Sequence, residues 1–187
     1  LCGQGPCADG SYELPKKGPL VDAVYALGTV KSDRVFTVKL GVQATVRRVP
    51  IIEGQDVSLG STLMVLDTGA AITSPIAGTV TSIHCEEGET AMPGAPLLTV
   101  TDLRKRFIQV SLDQNAALRV RRGQDVRVSL ESMRSMILHG RVESVYPSSG
   151  QFLARIGTES IPPEILPDMT ADIAIIIARK DNALMVP

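Results

Sequence analysis

The sequence has few of the features that mark the commonest functional classes. It has no tryptophan and only 3% aromatic residues, so any core must be built from aliphatic side chains. Its 19 basic and 20 acidic residues leave a formal net charge of −1, which excludes the one-sided positive field that nucleic-acid binding uses. No run approaches the roughly 20 apolar residues of a membrane-spanning helix.

Motifs for catalysis and metal binding are also missing. The sequence contains no glycine-rich phosphate loop, nucleophile elbow or Ser-His-Asp spacing. Its two histidines, His84 and His139, fall at polar positions of strand-like segments, which predicts exposed side chains. The six methionines are scattered, which favours gap-filling over a copper-type thioether site. We therefore predict no enzymatic activity, no catalytic residue, no metal site and no cofactor.

Three cysteines is an odd number, so at least one has no intramolecular partner. Cys2 and Cys7 lie in a glycine-rich leader, residues 1–14, where a flexible segment, a local disulfide and, at Cys2, a lipid attachment are all open. Cys85 falls in a predicted strand. Because the chain starts at Leu1 rather than at methionine, we expect a mature or trimmed form.

An internal repeat is the strongest signal in the sequence. Residues 45–68 align with residues 79–102 without gaps, at an offset of 34. Six pairs are identical, namely Thr45/Thr79, Val46/Val80, Glu53/Glu87, Gly54/Gly88, Gly60/Gly94 and Leu63/Leu97. Each copy reads as strand, turn, short strand, turn, strand, and the four repeated glycines are the predicted turn residues because glycine adopts positive φ at no steric cost. Two halves with one apolar face each predict a flattened β-sandwich with pseudo-twofold symmetry.

Alternating apolar and polar residues predict further strands outside the repeat. These candidate strands are residues 36–40, 108–112, 126–130, 137–146, 151–156 and 171–177. Six such strands are enough to close a small antiparallel barrel without exposed edges. Residues 113–118 predict one short helix, with Asp113 as its N-cap.

The doubled repeat resembles the two halves of a biotinyl/lipoyl domain. In carrier proteins of that family the modified lysine lies on the hairpin between the halves. Here that connection, residues 66–75, contains no lysine, and Lys39 and Lys105 lie outside the repeat. A biotinyl/lipoyl-type carrier domain of an enzyme complex is therefore disfavoured, but it is kept as the alternative function.

The order of strand, lipoyl halves and barrel resembles the periplasmic adaptor proteins of tripartite efflux pumps, the HlyD-like membrane fusion family. The segments that carry the resemblance are residues 74–80, 93–98, 110–113, 122–124 and 167–171. It implies a mainly all-β fold, with a lipoyl/biotinyl-like flattened β-sandwich, a six-stranded antiparallel β-barrel and one short helix. The implied domains are a leader (1–14), a partial membrane-proximal segment (15–29), the lipoyl-like domain (42–102), the barrel (30–41 with 103–178) and the start of a membrane-proximal return (179–187).

The resemblance also implies a non-catalytic function. Adaptors of this family link an inner-membrane transporter, of ABC or RND type, to an outer-membrane duct for efflux or secretion. They work as rings in the periplasm and are anchored to the inner membrane, here through a removed N-terminal segment. The exported substrate stays open. A substrate- or metal-binding periplasmic module is a third, separate possibility.

The sequence departs from the family pattern in two respects, and one acidic loop of the repeat has two readings. Typical members carry a long α-helical hairpin between the halves, which engages the duct. Here Gly69, Ala70 and Ala71 span the insertion point, which fits a naturally hairpin-less member or, as the splice-like composition favours, an excised hairpin. The family also continues past the end of this chain. The acidic turn Glu86, Glu87 and Glu89 is either a solvated turn or a loop that lines a central channel of the ring.

Overall fold

The computed structural model of the protein describes residues 16–130 and 133–185, with side chains described for 21–130 and 136–179. The predicted leader, with Cys2 and Cys7, lies outside the described residues. The first strands are β1 (Lys16–Ser32), β2 (Val35–Lys39), β3 (Ala44–Arg48), β4 (Asp56–Val57), β5 (Thr62–Leu66), β6 (Ala71–Thr73), β7 (Gly78–Ile83), β8 (Thr90–Ala91) and β9 (Pro96–Thr101). They are followed by β10 (Arg106–Leu112), α1 (Gln114–Arg119), β11 (Asp125–Leu130), β12 (Met133–Ser148), β13 (Gln151–Thr158) and β14 (Thr170–Met185).

Six strands close an antiparallel barrel in the order β1-β10-β13-β12-β11-β14. The apolar side chains at alternate positions of the strands fill its interior, because every second residue of a strand points to the same face. On β11, Val126, Val128 and Leu130 are buried, and they pair with Ile175, Ile173 and Ala171 of β14, which are buried as well. The barrel therefore has an aliphatic interior of its own.

Two four-stranded sheets form the second unit, in the orders β2-β9-β7-β4 and β6-β5-β3-β8. Each sheet takes one short strand from the opposite half of the repeat, since β4 pairs with β7 and β8 pairs with β3. The residues buried between the sheets share no member with the barrel interior. The predicted combination of flattened β-sandwich and six-stranded barrel is confirmed, and the sandwich is inserted between β1 and β10.

The sixth barrel strand is not the one predicted. The segment 36–40 was expected in the barrel, within a barrel segment of residues 30–41, but β2 pairs with β9 in the lipoyl-like unit. The barrel strand is β1, which pairs with β10 and β14. Alternation predicts that β2 is a strand, but only the repeat indicates its partner. A shift of 34 residues places β2 over β6 and β5 over β9, so the pair β2–β9 is the counterpart of the pair β6–β5. The lipoyl-like unit therefore begins at Val35 rather than at residue 42.

The domain borders predicted at 29/30 and 178/179 fall inside continuous strands, β1 and β14. β1 and β14 pair from Lys16↔Met185 to Thr29↔Thr170, with register shifts between Gly18 and Leu20 and between Asp22 and Ala23. The bulges leave the strands unbroken. The segments assigned to a membrane-proximal region are thus continuations of two barrel strands.

The helix forms as predicted. Asp113 has extended backbone dihedrals, and its carboxylate accepts a hydrogen bond from the backbone N–H of Ala116 at 2.6 Å. This bond satisfies one of the amides that a first helical turn leaves without a partner. The helix ends at Arg119, whose guanidinium forms an ion pair with Asp22 of β1.

Candidate functional site

The pseudo-twofold symmetry of the lipoyl-like unit is visible in its hydrogen bonds. The Gly54 N–H donates to the Val80 carbonyl at 2.8 Å, and the Gly88 N–H donates to the Val46 carbonyl at 2.7 Å. These four residues are two of the identical pairs of the repeat. All four predicted turn glycines adopt positive φ, namely Gly54 (81°), Gly60 (82°), Gly88 (86°) and Gly94 (80°). Sequence identity within the repeat therefore marks positions where one half holds the other.

The repeated glutamates are a reciprocal clamp between the halves. Glu53 Oε1 accepts a hydrogen bond from the Ile83 N–H at 2.8 Å, and Glu87 Oε1 accepts one from the Val49 N–H at 2.8 Å. The two acceptors and the two donors are each 34 residues apart. Each carboxylate thus satisfies an amide of the other half, at the last residue of β7 or at the residue that follows β3.

We expect Glu53→Ala and Glu87→Ala each to lower the free energy of unfolding of this unit by about 0.5–1.5 kcal/mol, because each removes one charge-assisted hydrogen bond. Urea denaturation of the single variants measures the loss. Glu86→Ala is the matched control, since the Glu86 side chain is exposed and the structure gives it no hydrogen bond. A loss as large in Glu86→Ala would contradict the clamp.

The acidic turn is partly engaged within its own unit. Glu87 holds the Val49 amide, and Glu89 Oε2 accepts a hydrogen bond from the Glu86 N–H at 2.9 Å. All three glutamates are exposed. Glu86 is therefore the member of this turn whose carboxylate is left for solvent or for another molecule.

The predicted hairpin insertion point is the tight turn between β5 and β6. Gly69 has a φ of 82°, its N–H donates to the Leu66 carbonyl at 2.9 Å, and the Leu66 N–H donates to the Ala70 carbonyl at 2.9 Å. Ala71 begins β6, and residues 67–71 are exposed and include no lysine. Two linkers connect the lipoyl-like unit to the barrel, the first at residues 33–34 between β1 and β2 and the second at residues 102–105 between β9 and β10. A shift of 34 leads from Arg34 in the first linker to Thr68 in this turn, and a second shift leads to Asp102 in the second linker. The pseudo-twofold axis therefore relates the turn to the two linkers.

Those linkers are hydrogen bonded to each other. Ser32 Oγ donates to the Asp102 carbonyl at 2.7 Å, and the Asp102 N–H donates to the Arg34 carbonyl at 2.9 Å. Asp102 is only 6% exposed, and its carboxylate accepts from the Arg104 N–H at 3.0 Å. The junction between the two units thus consists of two linkers that are hydrogen bonded to each other.

Arg155 on β13 ties this junction to the barrel wall. Its guanidinium contacts Asp33 of the first linker at 2.7 Å and Glu143 of β12 at 2.7 Å, and it lies over the Phe107 ring at 3.8 Å from the centroid. The hydrogen bond from Arg155 lowers the pKa of Asp33 below its ordinary value. Sequence reasoning missed this cluster, because Arg155 and Asp33 are 122 positions apart and share no motif.

The Arg155–Asp33 pair predicts an acid-dependent loss of stability. A carboxylate whose pKa is lower in the folded state stabilises that state above its unfolded pKa, and this contribution disappears as the pH falls through the folded pKa. We expect the stability difference between the wild type and Arg155→Met to shrink below the unfolded pKa of Asp33, near 3.8. Urea denaturation at neutral pH and at about pH 3 measures it. Arg141→Met, which removes the exposed pair with Asp125, is the control, and a difference that stays constant with pH would contradict the assignment.

The remaining candidate residues do not converge. His84 and His139 are both exposed, on different units. Cys85 is buried against the lipoyl-like core, and burial, followed by Glu89, raises the pKa of its thiol. Among the described residues no group of three or more His, Cys, Asp or Glu side chains is placed to hold a metal ion.

Comparison with known proteins identifies the architecture. A MacA–MexA chimeric protein, which contains the Pseudomonas aeruginosa MexA α-hairpin domain, matches with a TM-score of 0.82 and 22% identity over 94% of this chain and 88% of that chain. MacA from Actinobacillus actinomycetemcomitans matches with a TM-score of 0.82 and 19% identity over 95% of this chain and 85% of that chain. Other matching structures are the periplasmic adaptor protein EmrA and the membrane fusion protein Spr0693 from Streptococcus pneumoniae. The chain therefore has the membrane fusion, or periplasmic adaptor, fold that its sequence resembles.

At the level of sequence the similarity is shorter. The colistin resistance protein EmrA of Acinetobacter baumannii is 24% identical over 79 residues, which are 42% of this chain and 22% of that protein. The aligned part therefore spans about a fifth of that relative. No protein-family model matches the chain. Within the part of the chain that the structure describes, no helix has the length and hydrophobicity needed to cross a bilayer.

Proposed function

We propose that the chain is a non-catalytic periplasmic adaptor that links an inner-membrane transporter, of ABC or RND type, to an outer-membrane duct in efflux or secretion. The observation that carries the proposal is the insertion of a lipoyl-like unit between two strands of a closed barrel. In this arrangement the β5–β6 turn and the two barrel linkers are equivalent positions of the pseudo-dyad. The two linkers connect this unit to the barrel, and the β5–β6 turn is free to accept a hairpin.

The proposed mechanism is mechanical. Lipoyl-like units pack side by side in a ring, the barrels lie towards the transporter, and a hairpin at residues 69–71 reaches the duct. The protein works in the periplasm, held at the inner membrane by a segment that precedes it. The bonded linkers and Arg155 support this proposal, because they hold the two units in a defined relation through which force is transmitted.

Grafting tests the proposal directly. The α-hairpin of an adaptor with a known duct is inserted in place of Gly69, Ala70 and Ala71, and the product is expressed in a strain that lacks its own adaptor. We expect restored export and, after cross-linking in cells, recovery of an ABC or RND transporter by mass spectrometry. The ungrafted chain is the control. A folded graft that neither restores export nor recovers a transporter overturns the proposal.

The alternative, a biotin- or lipoate-type carrier, needs a primary amine at the tip of the β5–β6 turn. Intact mass after expression with the attaching ligase tests this alternative, and a mass increase equal to the prosthetic group would favour it. Calorimetric titration with zinc, copper and silver tests the third possibility, a metal-binding module. We expect no modification in the first experiment and no binding in the second.

The acidic turn supplies a prediction for the assembled ring. If the turns of neighbouring protomers surround a common channel, their carboxylates repeat around it and act on charged substrates. Because Glu87 and Glu89 are engaged locally, we expect Glu86→Gln to change the passage of charged substrates more than Glu89→Gln does. Transport assays on an assembly of proven stoichiometry measure the effect. Unchanged transport in both variants would leave the turn as a solvated loop.

A further inference from the structure

An open groove of about 480 Å³ lies on the barrel, at the end remote from the lipoyl-like unit. β10 begins beside the second linker and ends at Leu112, which pairs with Phe152 of β13. Phe152 pairs in turn with Pro147 of β12, and both residues line the groove. Because a strand rises about 3.3 Å per residue, the length of β10 places the groove roughly 20 Å from that linker.

The lining of the groove is mainly apolar. Val120 is buried in the barrel interior, and Val145 packs against that interior. Leu118, Tyr146 and Phe152 also line the groove, yet Leu118 is 67% exposed and the two aromatic residues are each 37% exposed. Large apolar side chains that remain partly exposed around a concavity of this size are typical of ligand sites.

The charge at the groove has one sign. Arg121 and Arg122 line it, and the described residues that line it include no Asp or Glu. Within residues 21–130 and 136–179 neither arginine has an ion-pair partner, and the Arg121 guanidinium donates only to the Val120 carbonyl, at 3.1 Å. Arg119, in contrast, is paired with Asp22. The groove therefore offers two guanidinium groups whose charge no carboxylate of the described chain neutralises.

This combination favours a small ligand with an apolar body and one negatively charged end. A volume of about 480 Å³ lies within the range of small-molecule sites. Both arginines are exposed, so an anionic end held beside them stays in contact with water and does not meet the cost of burying a charge. Guanidinium groups bind carboxylates through charge-assisted, often paired hydrogen bonds.

We propose that this groove is a binding site for amphipathic carboxylates of the medium-chain fatty-acid class. The alkyl chain lies against Leu118, Tyr146 and Phe152, and the carboxylate accepts hydrogen bonds from Arg121 or Arg122. Binding is noncovalent. The inference does not depend on the proposed pump function, because every residue that carries it belongs to the barrel and to α1.

Calorimetric titration of the full chain with octanoate, decanoate and dodecanoate tests the site, with each carboxylate kept below the concentration at which it forms micelles. We expect a dissociation constant on the order of 100 μM or below for dodecanoate. Each added methylene buries further apolar surface, so the affinity should rise about twofold to fourfold per methylene. Decyltrimethylammonium, which has a similar chain and the opposite charge, should bind about tenfold more weakly than decanoate.

The charge requirement is tested with a matched pair of double variants. Arg121→Gln/Arg122→Gln removes both guanidinium groups, and we expect it to weaken decanoate binding about tenfold. Arg47→Gln/Arg48→Gln removes two exposed consecutive arginines of β3, in the lipoyl-like unit, and should bind decanoate like the wild type. Both variants lose the same formal charge, so general attraction between the protein and an anion cannot produce the difference.

The apolar requirement is tested with two leucines. Leu118→Gln places a polar group against the alkyl chain and should weaken decanoate binding severalfold. Leu59→Gln is the control, because Leu59 is 71% exposed and belongs to the lipoyl-like unit. Both side chains are largely exposed, so we expect both variants to fold, which circular dichroism and the midpoint of urea unfolding verify.

Several results would overturn the site. These are no binding of any of the three carboxylates, an affinity that does not change with chain length, and equal affinity in the wild type and Arg121→Gln/Arg122→Gln. Phosphatidylglycerol vesicles and a peptide of alternating leucine and glutamate are titrated in parallel. Binding of either one without a response to the soluble carboxylates would assign the groove to a membrane surface or a protein partner instead. None of these measurements involves transport, so failure of the site is distinct from failure of the proposed function.

Discussion

Leu63→Ala and Leu97→Ala are expected to destabilise the lipoyl-like unit by similar amounts, about 2–5 kcal/mol each. The two leucines are an identical pair of the repeat, and they are 0% and 3% exposed in the same core. Each truncation removes buried methyl groups and leaves a cavity that a close-packed core closes only in part. Equal losses would show that the two halves bury equivalent faces against each other.

The composition of the chain makes the two cores separately observable. With no tryptophan in the sequence and with Tyr12 replaced by phenylalanine, Tyr25 and Tyr146 report on the barrel, while Cys85 reports on the lipoyl-like core through the rate of thiol labelling. In a Cys2→Ser/Cys7→Ser background, the leucine variants should speed labelling of Cys85 and leave the tyrosine signal in place. Leu59→Ala, at a side chain 71% exposed, is the control, with an expected change of about 0.5 kcal/mol or less. A large loss of stability in one leucine variant and none in the other would contradict the pseudo-twofold equivalence of the two halves.

Gly28→Ala is the second large effect, and it concerns the barrel. Gly28 pairs with both Val110 and Ala171, and a Cβ built there would lie 2.7 Å from Ile108 Cγ2 and 2.9 Å from Ile173 Cγ1. Both isoleucines are buried, so neither side chain moves away without disturbing the interior. We expect overpacking to cost about 1–3 kcal/mol and to lower the midpoint of barrel unfolding followed by tyrosine fluorescence.

Gly41→Ala is the matched control for this glycine. A Cβ at Gly41 would meet nothing within 4 Å, and its φ lies outside the left-handed region. Replacing such a glycine with alanine restricts the unfolded chain, so stability should be unchanged or rise by up to about 1 kcal/mol. If Gly28→Ala were as mild as Gly41→Ala, the barrel interior would be looser than the described contacts indicate.

Local patterns were sufficient for much of the fold. Self-similarity at an offset of 34 predicted the paired halves, and the structure adds that Glu53 and Glu87 are identical because each holds an amide of the other half. The alternation of β11 predicted its buried face, and Asp113 predicted the start of α1. These features depend on neighbours a few residues apart or on a repeated pattern, so one sequence is enough to find them.

Local patterns do not predict which strands pair when they are far apart in the sequence. The alternation of Phe36 and Val38 correctly predicts a strand. Period-2 alternation indicates which face of a strand is buried, but it does not indicate which other strand pairs with it. β1, which is the actual barrel strand, has Gly28 at a buried position where the pattern leads one to expect a large apolar residue. The tight space between Ile108 and Ile173 explains this, and that space exists only once the barrel is closed.

Composition, alternation and the internal repeat thus established a mainly β chain, its two halves with matching apolar faces, and the missing lysine and hairpin between them. The folded chain alone decided that β2 belongs to the lipoyl-like unit and that Arg155 joins the first linker to the barrel wall. The physical reason is that these contacts join residues tens of positions apart. Their partners are set by closure of the barrel and by the path of the linkers, which no local pattern encodes.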